Sequence, residues 1–363
     1  MLPPQKISGR LRETLKFYQP NPPTFFIRLW HVINGSVLAG ILSLSSSLLR
    51  FYERFLIRDA DVQDDSTSLF FIIGIFALSF PIFHVATGRK GYVRVSESFI
   101  AAAEALEEEV NPKQLQKMMK LTRFSKGIFV FYIIEAIVDI VMCTLLWYST
   151  PGLQLAFLPV NVAFIRRISF IEAVLITMGL ISGVSIVAFH LEISICTTYM
   201  YNIVGELFQE ASNQESVYKV IKIHQQLLHA SKIFQQVFTT QWFSILIAAL
   251  SVIIVSTYTV IALSFEINLI FLIVSLFVVL CRACVLGEML TTSSSKIGFA
   301  IYQSNWLNTT PELRRDLCLA ILRSQRPAYA TAGFLGKLNL TKLSSIVQSW
   351  YKFVQALLNT RSK

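Results

Sequence analysis

Long apolar runs alternate along this chain with shorter polar segments rich in Lys and Arg. Seven runs approach the ~20 residues that an α-helix needs to cross a bilayer. They are Leu29–Leu49, Ser66–Thr87, Gly127–Tyr148, Phe170–Cys196, Trp242–Leu263, Ile267–Leu286 and Leu338–Leu358. The first and last depart most from uniform apolarity: one holds Asn34 and Ser45-Ser46-Ser47, the other Lys342 and Lys352. No proline lies between Pro159 and Pro311, so the fourth, fifth and sixth helices carry no break and can extend past the membrane. In the segment Thr197–Gln241, Ile203, Leu207, Val220, Ile223, Leu227, Phe234, Val237 and Phe238 recur at mostly helical intervals, interrupted near Ala211–Glu215. The predicted fold class is all-α, a polytopic membrane protein with seven transmembrane helices.

Composition agrees with the pattern. The chain is 54% hydrophobic and only 15% charged, against about 25% charged in soluble domains. Basic residues set the orientation. With a cytosolic N-terminus, 23 of the 32 Lys and Arg fall on the inner side, and seven, Arg50, Arg54, Arg58, Arg166, Arg167, Arg361 and Lys363, fall outside. The expected topology is therefore a cytosolic N-terminus and an extracellular C-terminus. The net charge of +10 sits beside the spans, where it meets anionic headgroups, and does not point to nucleic acid. Met1–Pro23 is basic and proline-containing, with no short apolar core and cleavage site, so no leader is expected to be removed. The sequons at Asn34, Asn308 and Asn339 fall in the membrane or the cytosol under this topology and are expected to stay unused.

Candidate chemistry is sparse. Cys281 and Cys284 have CxxC spacing, but no second pair accompanies them, and two small side chains facing helical neighbours suffice as an explanation. His31, His84, His190, His224 and His229 lie on separate segments and form no HExxH, GxSxG or phosphate-loop motif. His224 and His229 are expected to be solvated or to cap helices. No catalytic residue, metal site or cofactor is predicted, and the chain is read as no enzyme. Glu135 and Asp139 lie one turn apart inside the third span. They are either held by hydroxyls and water, or relay protons or a cation, with Asp139 also a candidate polar anchor for a ligand.

The last span carries the functional pattern. Thr341, Ser345, Gln348, Lys352, Gln355 and Asn359 recur every three or four residues along one face. Such a stripe either faces water inside a bundle or lies at the membrane surface. One chain supplies one such helix, so a pore would need several copies around an axis. The amphipathic stretches Thr197–Gln241 and Ser293–Ser324 either cover one another within the chain or build a contact between subunits.

The final third reads Gly287-Glu288, then Thr292–Ser295, Ala300-Ile301-Tyr302 with Trp306, Gln325-Arg326-Pro327 and Ala332-Gly333, then the last span. In this order it resembles the C-terminal signature of insect odorant receptors, in which Thr292–Ser295 would be a Ser-rich turn. A looser likeness lies in Ile221–Gln241, centred on His224. The order and spacing of these short motifs carry the resemblance.

The resemblance implies an odorant-binding tuning subunit of an odorant-gated, non-selective cation channel in the plasma membrane of olfactory neurons. The partners implied are the family's co-receptor in a heteromer, expected to be tetrameric, and a volatile ligand. It divides the chain into a cytosolic segment 1–28, a six-helix bundle 29–286 with cytosolic extensions at about 88–126 and 197–241, an assembly segment 287–337 and a pore-lining helix with a short tail, 338–363. Tyr302, Trp306, Gln325 and Pro327 fall in the assembly segment. In the last helix the family's aromatic positions fall on Tyr351 and Phe353, and its gate near Gln355, Ala356 and Leu357. Lys352 departs from the small hydroxyl residue common there.

An outer-half pocket would draw on Phe70, Phe71, Ile73, Gly74, Asp139, Cys143, Leu146, Trp147, Glu172, Leu175, Ile176, Gly179 and Tyr258, with Phe271 and Leu272 nearby. Two other functions are weighed: a gustatory receptor channel, whose usual Thr-Tyr then Gln-Phe pattern Ser349–Leu358 lacks, and a secondary transporter using Glu135 and Asp139, for which no internal repeat is found.

Overall fold

A computed structural model describes residues 6–16, 87–149, 162–211, 213–263, 267–304 and 306–361, with many side chains between 121 and 182 outside the described set. The described residues form eight α-helices: α1 Ile7–Lys16, α2 at 87–109, α3 Pro112–Ser149, α4 Val162–Glu210, α5 Gln214–Tyr258, α6 Ile267–Gln303, α7 Pro311–Ser324 and α8 Leu340–Arg361. No strand occurs among them; a single antiparallel bridge joins Thr331 to Lys337.

The proline-free stretch behaves as expected. Helix α4 has 49 residues, α5 has 45 and α6 has 37, so α4 runs about 74 Å at 1.5 Å per residue, well over twice the ~30 Å hydrocarbon thickness. Three helical stretches, Gly183–Glu210, Gln214–Ile261 and Leu269–Gln303, are each long and apolar enough to cross a membrane. The expected interruption falls where the pattern put it. α4 ends at Glu210, and Asn213 caps α5 by accepting the Ser216 N–H at 2.8 Å, which satisfies one of the donors a helix start leaves open. The spans Leu29–Leu49 and Ser66–Thr87 lie outside the described residues, apart from Thr87.

The half of α4 from Ile186 to Phe208 is the central post. Ile186, Phe189, Ile193, Tyr201, Val204 and Phe208 are buried, and α3, α5 and α6 pack around them. An aromatic knot ties this post to its neighbours. Tyr92 meets Phe189 edge-on at 5.0 Å, Phe189 stacks on Phe238 at 5.5 Å, and His190 meets Trp242 edge-on at 4.6 Å. The Tyr92 hydroxyl donates to Gln241 Oε1 at 2.9 Å. Edge-to-face and offset pairs add stability beyond area alone.

The opposite situation holds on α3. Val130, Phe131, Ile134, Ile137, Val138 and Val141 are all exposed. Their three- and four-residue spacing makes one apolar face that water would not tolerate and lipid would.

Helix α1 was not expected. It turns Ile7, Leu11 and Leu15 inward, the i, i+4, i+8 spacing of one helical face, and packs against α3 and α4. The Ser8 amide and hydroxyl donate to the Glu107 carboxylate at 2.9 and 2.6 Å.

Two expectations are corrected. The Ser-rich stretch Thr292–Ser295 is not a turn, because α6 continues through it to Gln303. Its hydroxyls donate to carbonyls one turn back, Ser294 to Thr291 and Ser295 to Thr292, at 3.0 and 2.9 Å, so the helix accommodates them internally. His224 is neither solvated nor capping: it is 2% exposed, with Tyr201 and Phe208 edge-on at 6.4 and 6.2 Å. His229 is exposed.

Candidate functional site: the last helix and its mooring

The start of α8 is built from the short motifs that precede it. Helix α6 brings Gly287 so close to the chain entering α8 that a Cβ there would lie 2.1 Å from the Leu338 carbonyl oxygen. Only glycine permits this approach without displacing backbone. The next residue completes the joint, as Glu288 Oε2 accepts the Leu340 N–H at 3.3 Å. Asn339 Oδ1 accepts from the Lys342 amide at 2.8 Å, a side-chain N-cap. A carboxylate at this end also suits the positive end of the helix dipole. The Gly-polar pair thus sets both the distance and the cap of the last helix.

The segment before α8 folds back on itself. Leu338 N donates to the Ala330 carbonyl and Ala332 N to the Gly336 carbonyl, both at 3.0 Å. Gly333 and Gly336 have φ of 52° and 84°, the left-handed region that favours glycine. Ala328 N donates to Ser294 Oγ at 2.9 Å, and the Thr239 and Thr331 hydroxyls are 2.7 Å apart. These bonds hold the return segment to α6 and α5.

Below it, α7 begins at Pro311 with Thr310 as its cap and buries Leu313, Leu317, Ala320 and Ser324. Ser324 fits over Gly298, where a Cβ would come within 2.2 Å of its Oγ. The outer surface of this mooring is unusually apolar: Phe299, Tyr302, Leu307, Leu319, Leu322 and Phe334 are each more than half exposed. Of the expected assembly residues, Tyr302 and Gln325 are exposed, and Trp306 and Pro327 are half-buried. Tyr302 and Trp306 lie together, ring centroids 6.4 Å apart.

Helix α8 packs with one face only. Leu343, Ile346, Trp350, Phe353, Val354 and Leu357 are partly covered, while Thr341, Ser345, Gln348, Lys352, Gln355 and Asn359 are all exposed. The polar stripe predicted from spacing is thus one continuous face turned away from the chain's own bundle. Ala356 and Tyr351 are exposed beside it. On the covered face, Trp350 meets Phe277 of α6 at 4.9 Å, and its Nε1 donates to Thr257 Oγ1 of α5 at 3.0 Å.

The predicted ligand residues are met only in part. Phe70, Phe71, Ile73 and Gly74 lie outside the described residues; Asp139, Cys143, Leu146 and Trp147 fall on α3, and Glu172, Leu175, Ile176 and Gly179 on α4, with their side chains outside the described set. The same holds for Glu135. Tyr258, at the end of α5, is 38% exposed; Phe271 is exposed and Leu272 half-buried on α6. Cys281 and Cys284 are free thiols, the second buried. Among the described residues, no group of three His, Cys, Asp or Glu could hold a metal ion.

Sequence reasoning passed over one buried acid. Glu192 of α4 is tied to Arg10 of α1, Nε to Oε1 at 2.6 Å and Nη2 to Oε2 at 3.1 Å. Burial opposes the Arg10 charge, but the Glu192 carboxylate outweighs it and raises the guanidinium's pKa. A carboxylate within an apolar run was the available signal.

Long continuous apolar helices and an apolar outer face on α3 define an all-helical, multi-pass membrane protein. The sequence profile of the family described as 7tm Odorant receptor matches residues 61–351, and the chain belongs to that family. Its relatives are receptors, not enzymes. Two *Drosophila melanogaster* proteins are similar. One is Putative odorant receptor 85d, 26% identical over 156 residues, covering 40% of this chain and 36% of that protein. The other is Odorant receptor 85c, 26% identical over 160 residues, covering 41% and 39%. The match thus spans under two fifths of either relative's length.

The olfactory receptor OR5 of *Machilis hrabei* shares the fold over 97% of both chains. Its TM-score is 0.78, and 0.76 for the structure in complex with eugenol, at 13% identity in each case.

Proposed function

We propose that this chain is the odorant-binding, tuning subunit of an odorant-gated, non-selective cation channel, assembled with the family's co-receptor in the plasma membrane of olfactory neurons. The observation that carries the proposal is the exposed polar face of α8, made of six residues from Thr341 to Asn359 and opposite the face that packs on the bundle. A polar face against lipid is costly, and several copies around an axis would turn it to water. The apolar outer surface of α6, α7 and the 3-10 turn between them, with Phe299, Tyr302, Leu307 and Leu319 exposed, suits burial against another subunit. In this reading the N-terminus is cytosolic, seven spans cross the membrane, and the segment 287–337 is the assembly element.

The ligand pocket lies in the outer half, among the residues from Phe70 to Tyr258 named above. A ligand of the eugenol kind, small and aromatic, suits walls of that composition. Odorant must bind the open state more tightly than the closed one to shift α8.

The test is expression with and without an insect odorant-receptor co-receptor in voltage-clamped cells, with a broad odorant panel. Weakly selective cation current only in co-expressing cells is the expected result; silence from surface-expressed protein overturns it. Within that current, Trp147→Ala or Gly74→Trp is expected to change odorant tuning without reducing surface expression.

A further inference from the structure

The covered face of α8 holds a polar contact in an otherwise apolar seam. Trp350 Nε1 donates to Thr257 Oγ1 at 3.0 Å, and the Thr257 hydroxyl donates onward to the Ile253 carbonyl at 2.7 Å. Thr257 is 3% exposed, so this two-step chain is shielded from water, where hydrogen bonds are stronger and costlier to break. The Phe277 ring edge at 4.9 Å holds the indole from the side of α6. One side chain of the last helix therefore touches both α5 and α6.

The site on α5 is unusual. Ser256, Thr257 and Thr259 all donate their hydroxyls to carbonyls four residues back, at 2.7, 2.7 and 3.0 Å. Immediately afterwards the helix changes to a π-helical turn over Thr259–Leu263. Back-bonding hydroxyls loosen and bend helices, and π turns are rare and concentrate at functional sites. The turn also contacts α8 directly. Tyr258, expected to line the ligand pocket, is the residue between Thr257 and the π turn.

We infer that Trp350 is a positioning residue for gating: its hydrogen bond to Thr257 couples the softened end of α5 to the pore-lining helix. This inference rests on the channel reading above. Rearrangement of the π turn by ligand would strain or release the bond, and α8 would move with it. A merely space-filling Trp350 would need no partner on α5, and its indole N–H would have no required direction.

The test is a double-mutant cycle of Trp350→Phe, which keeps the ring and loses the donor, and Thr257→Val, which keeps the shape and loses the acceptor. Surface expression is measured alongside odorant concentration-response curves in co-receptor-expressing cells. Each single change is expected to shift the half-maximal concentration or the saturating current by about fivefold, the size of one hydrogen bond, at unchanged expression. The double change should add little to either single one. Independent effects that multiply, or no shift in a wild-type-competent system, overturn the inference. If wild type carries no current, the channel reading fails instead. The same cycle is then read in thermal unfolding of the purified protein, where additive effects overturn the contact itself.

Discussion

Arg10 and Glu192 form a two-pronged ion pair, 2.6 and 3.1 Å, that joins the first helix to the middle of the central post. The Glu192 side chain is 1% exposed and that of Arg10 13%. Removing one partner takes the two-pronged contact from a charge largely shielded from water, which costs about 3–5 kcal/mol, whereas replacing both with apolar residues is often neutral; Arg10 also has Glu13 at 3.6 Å. Glu192→Leu and Arg10→Met are each expected to lower the unfolding temperature of the purified protein sharply, and the double variant to recover most of the loss. Losses that simply add in the double variant would mean that the two side chains act independently and that the pair does not anchor α1.

His224 makes stability pH-dependent. Burial, with a smaller contribution from Arg323, pushes its imidazole down to about 4, from an ordinary value near 6.5. As pH falls through about 6.5 the unfolded chain takes up a proton and the folded one does not, so stability falls from there and levels off below about 4. By pH 5 the loss is about 2 kcal/mol. Thermal unfolding of wild type and His224→Gln at pH 7 and pH 5 checks this, and the variant is expected to lose measurably less on acidification. An equal drop in both proteins assigns the acid sensitivity to other groups.

Gly287 sets the distance between α6 and the start of α8. A methyl group would meet the Leu338 carbonyl at 2.1 Å, and neither atom is on a flexible side chain. Gly287→Ala is expected to destabilise the protein by about 1–3 kcal/mol, the range for overpacking. Glu288→Gln keeps the size and an acceptor for the Leu340 amide, so it should cost far less. Unfolding temperatures that rank the two variants in reverse would show that the joint depends on charge and not on closeness.

Much of this architecture was legible before any coordinates. The missing prolines foretold the long helices, the break near Ala211–Glu215 fell between α4 and α5, and Pro311–Ser324 matched α7 end for end. The spacing of Thr341 through Asn359 identified the uncovered face of α8. Long-range partners were not legible. The spacing of Ile7, Leu11 and Leu15 was passed over, and such periodicity shows only that a face needs cover, not which helix provides it, so Arg10 and Glu192 were never paired. The resemblance likewise implied a turn at Thr292–Ser295, and polarity suggested that His224 meets water, because neither back-bonding hydroxyls nor an aromatic enclosure has a short-range sequence mark. The ligand pocket depends on helix rotations, which spacing does not supply.

Lys352 is the residue that brings a positive charge to the exposed polar stripe of α8. It is exposed there, between Gln348 and Gln355. If α8 lines the pore, a permeant cation passing about 7 Å away through water meets a repulsion of ~0.6 kcal/mol from that charge, about a threefold reduction in occupancy. Lys352→Ser is therefore expected to raise odorant-evoked cation current about threefold at unchanged surface expression, and Lys352→Arg to leave it near wild type. The increase should shrink at high ionic strength, because screening already weakens an exposed charge. Single-channel recording separates this from a gating effect: conductance should rise while the half-maximal odorant concentration stays fixed. Unchanged conductance in Lys352→Ser would place this side chain off the ion path, leaving conduction to the helices of the partner subunits.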